Sequence, residues 1–98
     1  MPAYAIAELT VTNPEAYEEY RRLVPATVEA FGGTFRVRGG TAVLKEGAPE
    51  PGRIVVLEFK DMATLEAWYA SPAYQEALAV RLANSVGRVV FVEGLPTA

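Results

Sequence analysis

From Tyr4 to Val11 an apolar run is interrupted at Glu8 and Thr10, two residues apart, the pattern of a strand with one face fully buried. A helix start follows. Asn13 is a natural N-cap, Pro14 suits the first helical position, and Glu15 complements the positive end of the helix dipole. Tyr17, Tyr20, Val24, Val28 and Phe31 then recur at intervals of three and four, with Glu18, Glu19, Arg21, Arg22 and Glu29 off that stripe, which predicts an amphipathic helix. Pro25 lies inside it without an N–H to donate and predicts a kink. Gly32-Gly33 terminates it. Over Thr34 to Arg38, Phe35 and Val37 alternate with Thr34, Arg36 and Arg38, and Gly39-Gly40 predicts a bulge or bend before the chain resumes over Thr41 to Glu46.

The segment GAPEPG, 47–52, reads as a surface loop, and Arg53 to Phe59 is the strongest strand pattern in the chain. A second helix begins at Asp61 or Thr64 with Leu65, Trp68 and Tyr69 on one face. Ser71-Pro72 breaks and restarts it, and Tyr74, Leu78 and Leu82 continue the apolar stripe. Gly87 precedes a last strand, Arg88 to Val92. The order is βαββαβ: an α+β chain, one domain over 1–98, with a four-stranded antiparallel sheet and its helices on one face. By alternation the helix-free face carries Tyr4, Ile6, Ile54, Val56 and Phe91 beside Glu8, Glu58, Arg36 and Arg38. A chain of 98 residues hides only about 65% of its unfolded surface. Pairing that face with a second copy predicts a homodimer with a closed or nearly closed barrel.

Hydrophobic residues are 51% of the chain and charged ones 21%, the balance of a globular protein. The absence of cysteine and histidine removes Ser-His and Cys-His catalysis, zinc-thiolate sites and histidine-ligated haem, leaving Tyr, Lys, Arg and carboxylate chemistry; no metal and no cofactor is expected. The net charge of −3, with scattered basic residues, argues against nucleic acid as a partner. Glu8 interrupts the N-terminal apolar run and no stretch reaches membrane-spanning length, so a cytoplasmic protein with no membrane contact is the expectation.

The stretch GGTFRVRGG, 32–40, has the glycines and arginines of an anion-binding loop, but it leads out of a helix into a strand, whereas a phosphate cradle leads into a helix N-terminus. Taken with RIVVLEF at 53–59, AWYASPAYQ at 67–75 followed by Arg81, and VEG at 92–94, it carries a resemblance over nearly the whole chain. The sequence resembles the small dimeric α/β-barrel proteins and, among them, the family known as domain of unknown function 1330. That resemblance implies a ferredoxin-like subunit in a barrel dimer and no established activity. Relatives on the same scaffold include cofactor-free monooxygenases, lactone isomerases and haem proteins, the last generally using a histidine that this chain lacks.

Independently of the family, alternation places Arg36, Arg38 and Glu58 on the sheet face away from the helices, where charge needs a partner. One reading is a structural ion pair of Arg38 with Glu58 or Glu8, with Arg36 reaching solvent at the rim. The other is an anion pocket in which Arg38 grips a carboxylate and Glu58 acts as polar orienter or base. Trp68 and Tyr74 are core packing or the walls of a ligand site; Ser71 is a helix cap or a cleft hydroxyl; Arg81 reaches a carboxylate in the sheet or lies in solvent. Two functions follow. The first is a cofactor-independent enzyme or binding protein for a small anionic or aromatic metabolite, held between sheet and helices by residues drawn from Arg38, Glu58, Trp68, Ser71, Tyr74 and Arg81. The second is a non-catalytic dimerisation or accessory module with a packed interior. Unpaired polar groups around an enclosed pocket would favour the first, and satisfied ion pairs in a filled interior the second.

Overall fold

A computed structural model describes residues 1–96. The elements run β1 (Ala3–Val11), α1 (Pro14–Ala30), β2 (Thr34–Arg38), β3 (Arg53–Phe59), α2 (Met62–Ala70), α3 (Pro72–Asn84) and β4 (Ser85–Glu93). The four strands form one antiparallel sheet in the order β2-β3-β1-β4, and three helices make this a ferredoxin-like α+β fold. The expected break at Ser71-Pro72 divides the second helical region into α2 and α3.

Capping follows the local sequence. The Asn13 side chain accepts from Ala16 N, Asp61 from Thr64 N and Ser71 from Tyr74 N, each supplying an acceptor to a helix end that has none of its own. Gly32, at φ +71, turns the chain out of α1, and Gly33 N donates to Val28 O at 2.9 Å. Residues 39–52 form no strand, so the expected continuation over Thr41 to Glu46 is absent, and β4 begins three residues before its expected start.

Register sorts the side chains. Ala3, Ala5, Leu57 and Phe59 point toward the helices and meet Val24, Val28, Leu65, Trp68, Tyr74 and Leu78 in the core. Phe91 is paired with Ala5 and lies edge-on to Tyr69 at 5.4 Å, so it belongs to the helix side and not to the helix-free face expected for it. Val86, Val90 and Val92, opposite Thr10, Ile6 and Tyr4, occupy the helix-free face instead. There they remain exposed in the single chain, at 62%, 42% and 43%.

A bulge changes β2. Phe35 pairs with Leu57, but Val37 pairs with Val56 and Arg38 with Val55, leaving Arg36 as the extra residue. Because side chains alternate with period two, one inserted residue reverses the face of everything after it. Val37 therefore turns to the helix-free face and Arg38 to the helix side, the reverse of the simple alternation.

Candidate cleft between helices and sheet

Between α1, α2, α3 and the sheet lies a cleft enclosing about 570 Å³ of empty space when its open mouth is counted, of which about 40 Å³ admits the centre of a water molecule. Its interior is therefore narrow, with room for a few waters, and the larger figure belongs mainly to the mouth. Arg21, Arg38, Arg53 and Arg81 all line it, and no carboxylate does. Among the described residues only Arg21 of these four has an acidic partner, Glu18 at 2.7 Å on the outer surface of α1.

Arg81 is the deepest of the four. It is 6% exposed, its Nε has no hydrogen-bond partner, and it forms no ion pair among the described residues. Arg53 stands on β3 with the same parity as the buried Leu57 and Phe59; its buried Nε is likewise without a partner, and its guanidinium lies 6.0 Å from the Tyr17 ring. Gly39 makes room for it. At φ +72 this residue occupies left-handed backbone, and a Cβ there would collide with Arg53 Nη1.

Arg38 is held at the mouth by an indirect effect of Pro25. Proline inside α1 has no N–H to give the carbonyl four residues earlier, that of Arg21. Arg38 Nη2 donates to that freed oxygen at 3.2 Å while its guanidinium sits 4.5 Å above the Phe35 ring. The expectation that Arg38 faces away from the helices and meets Glu58 or Glu8 is thus corrected by the bulge. Glu58 is on the opposite face, bound to Arg36 Nε at 2.8 Å, and cannot orient or deprotonate anything in the cleft.

The remaining candidates separate. Trp68 and Tyr74 line the cleft as well as filling the core, their rings 4.1 Å apart, and the Trp68 Nε1–H is committed to Thr27 Oγ1 at 3.1 Å. Trp68 offers the cleft an apolar wall and no free donor. Ser71 lies outside it: its hydroxyl donates to Trp68 O at 2.7 Å and accepts from Tyr74 N at 3.3 Å, the work of a cap between two helices. The structure thus gathers Arg38, Trp68, Tyr74 and Arg81 and leaves Glu58 and Ser71 elsewhere. Arg53 and Tyr20 join the group. Arg53 was legible from its parity with Leu57 and Phe59; the partner of Tyr20 is distant in sequence and left no local signal.

Tyr20 Oη and Tyr74 Oη are 2.9 Å apart, so one donates to the other and one O–H remains free. Burial, and then the neighbouring Tyr74, push Tyr20 far above the ordinary tyrosine range. Burial also raises Tyr74, outweighing the lowering by the Tyr20 hydrogen bond and by Arg81. Both hydroxyls are therefore neutral donors at physiological pH, and with no histidine, lysine or carboxylate in its lining the cleft offers positive charge and hydrogen-bond donors but no base. Such a site can hold an anion or stabilise charge developing on oxygen.

The family model described as Domain of unknown function (DUF1330) matches residues 2–95. The chain belongs to this family. Among solved structures, a protein of unknown function from Rhodopseudomonas palustris is similar at a TM-score of 0.81 and 19% identity, over 98% of this chain and 84% of that one. A dimeric ferredoxin-like protein of unknown function from Jannaschia sp. CCS1 is similar at 0.77 and 20%, over 96% and 100%. A mutant of SnoaB, a cofactor-independent oxygenase from Streptomyces nogalater, is similar at 0.62 and 14%, over 98% and 95%. No curated protein matches the chain in sequence. At these identities the likenesses establish the fold of this DUF1330 chain. No described helix is long and apolar enough to cross a membrane, and no cluster of acidic residues able to hold a metal occurs among the described residues.

Proposed function

We propose that this DUF1330 protein binds a small anionic aromatic metabolite in the cleft between helices and sheet, without a cofactor, and does so as a homodimer joined through the helix-free sheet face. The observation that carries the ligand reading is Arg81, a buried guanidinium with no carboxylate partner among the described residues. An uncompensated buried charge costs several kcal/mol, and an anion in the cleft would supply the missing partner. The rings of Phe35, Tyr69 and Tyr74 give an aromatic ligand flat surfaces to pack on. The dimer reading rests on Val86, Val90, Val92 and Val37 exposed beside the half-buried Ile6, Ile54 and Val56, an apolar face that a second copy would cover.

One observation favours the non-catalytic module instead: the narrow 40 Å³ interior. Thermal denaturation with benzoate separates the two readings. Binding raises the melting temperature of the wild type and leaves Arg81→Met unmoved; a wild type indifferent to every small aromatic acid favours the packed module.

A further inference from the structure

Resting on the anion-binding reading above, we infer that the cleft is built for a dianion: a planar aromatic acid whose two anionic groups are held at opposite ends, one by Arg81 and one by Arg53 with Arg38. Of the four guanidinium groups lining the cleft, that of Arg21 is paired with Glu18, and the other three have no acidic partner among the described residues. Arg81 is buried and Arg53 half-buried, so a single carboxylate would leave one of these two without an acid, while Arg38 is exposed at the mouth.

The three unpaired groups also fall into two places. Arg53 and Arg38 come from the β2–β3 edge of the sheet, where Gly39 brings the backbone against the Arg53 guanidinium. Arg81 comes from α3, which packs on α1 and β4, and lies near the Tyr20–Tyr74 hydroxyl pair. Tyr17, Trp68, Val55 and Leu57 supply an apolar stretch of lining.

Each end has a free edge of the right chemistry. A guanidinium binds a carboxylate side-on through Nε–H and a neighbouring Nη–H, and the Nε atoms of Arg53 and Arg81 are both buried without partners. At the Arg81 end, the tyrosyl O–H left over from the Tyr20–Tyr74 bond supplies a third donor. At the other end, Arg38 exchanges its bond to the Arg21 carbonyl for one to a ligand carboxylate, where donor and acceptor carry opposite charges and the contact can be bidentate.

Calorimetric titration of the full chain with terephthalate, benzoate and the neutral dimethyl ester of terephthalate tests this. Terephthalate is expected to bind about tenfold tighter than benzoate or better, since a hydrogen-bonded charged group contributes on the order of 1.5–3 kcal/mol. Arg53→Met should bring terephthalate down to the benzoate level while benzoate itself changes little. Arg53→Lys, which keeps the charge and loses the planar fork, should also reduce the advantage and serves if the methionine variant fails to fold. Equal affinity for the two acids, or an advantage that neither variant reduces, overturns the two-ended site and leaves the simpler anion reading standing. No binding of either acid, or an ester that binds as well as they do, overturns the anion reading itself.

Discussion

Arg36 and Arg38 stand two residues apart on one strand and end on opposite sides of the sheet in opposite electrostatic settings. Arg36 meets Glu58 in an ion pair whose side chains are 55% and 27% exposed, on the face where Val37, Val86, Val90 and Val92 are also exposed. Arg38 enters a cleft with three other arginines and no acid, where its acceptor is a backbone carbonyl freed by a proline. On the helix-free face Arg36 is matched by Glu58, the charges of Glu8 and Arg88 are exposed to solvent, and the apolar surface is uncovered. On the other the apolar surface is packed and the charge is unmatched. Under the proposed function, a second copy would cover the first face and an anion would occupy the second.

The strongest test of that contrast is to place a charge on the face that lacks only apolar cover. Ile54→Asp should weaken self-association by about 3 kcal/mol or more, over a hundredfold in Kd, because a carboxylate would be buried without a partner. Sedimentation velocity at micromolar concentration reads the change, and anion binding in the cleft should persist. A dimer unaffected by the substitution would remove the helix-free face as its interface.

The reciprocal change removes charge from the face that has too much. Arg81→Met should stabilise the ligand-free protein by about 1–3 kcal/mol in urea unfolding, because it deletes a buried charge that has no acidic partner among the described residues while keeping most of the volume. It should also abolish the response to aromatic acids. A marked loss of stability instead would mean that Arg81 is compensated within the fold.

Alkaline pH sharpens the same face. Tyr20 and Tyr74 ionise at higher pH folded than unfolded, so the folded state retains their protons longer. Their contribution is fully present below the unfolded value near 10 and is lost as pH rises above it, with a slope of up to about 1.4 kcal/mol per pH unit for each group. Tyr20→Phe should flatten this limb in urea titrations from pH 9 to 11, whereas Arg36→Met should leave it as it is. An unchanged slope would remove the buried pair as its source.

Pro25→Ala asks how Arg38 is held at the mouth. Restoring the N–H returns the Arg21 carbonyl to the helix and should release the Arg38 guanidinium, with a stability gain of about 1 kcal/mol. Faster exchange of the Arg38 Nη protons by NMR would show the release, and an unchanged signal would mean that stacking on Phe35 is sufficient. The smallest effect is expected from Glu58→Gln. Its pair with Arg36 is partly exposed, so monomer stability should fall by less than about 1 kcal/mol in urea. A loss comparable to the Arg81 effect would break the proposed division between the faces.

The helices were legible because their signals are local. Asn13-Pro14 and Ser71-Pro72 cap and start helices through atoms within four residues, and the stripe from Tyr17 to Phe31 needs only the helical repeat. The strand cores of β1 and β3 were legible for the same reason, and with them the element order and the apolar character of the helix-free face. Candidate residues were recognisable by type, and Trp68, Tyr74, Arg81 and Arg38 do share a cleft.

What tertiary structure decided was the face each strand residue takes and the partner each charge finds. A strand's register is set across the sheet: Val37 sits opposite Val56 and Phe35 opposite Leu57, and the extra residue between them, Arg36, takes up the difference. Nothing within TFRVR distinguishes a regular strand from a bulged one. Phe91 likewise took its face from pairing with Ala5, the Tyr20–Tyr74 pair joins residues 54 positions apart, and the Arg21 carbonyl freed by Pro25 met Arg38 only when the bulge turned that side chain toward α1. The sequence by itself determined which segments are helix or strand and how much apolar surface they carry, since both depend on neighbours along the chain. Only the fold decided that the arginines would converge where no acid follows them, because side chains from separate elements meet only after the sheet has chosen its register.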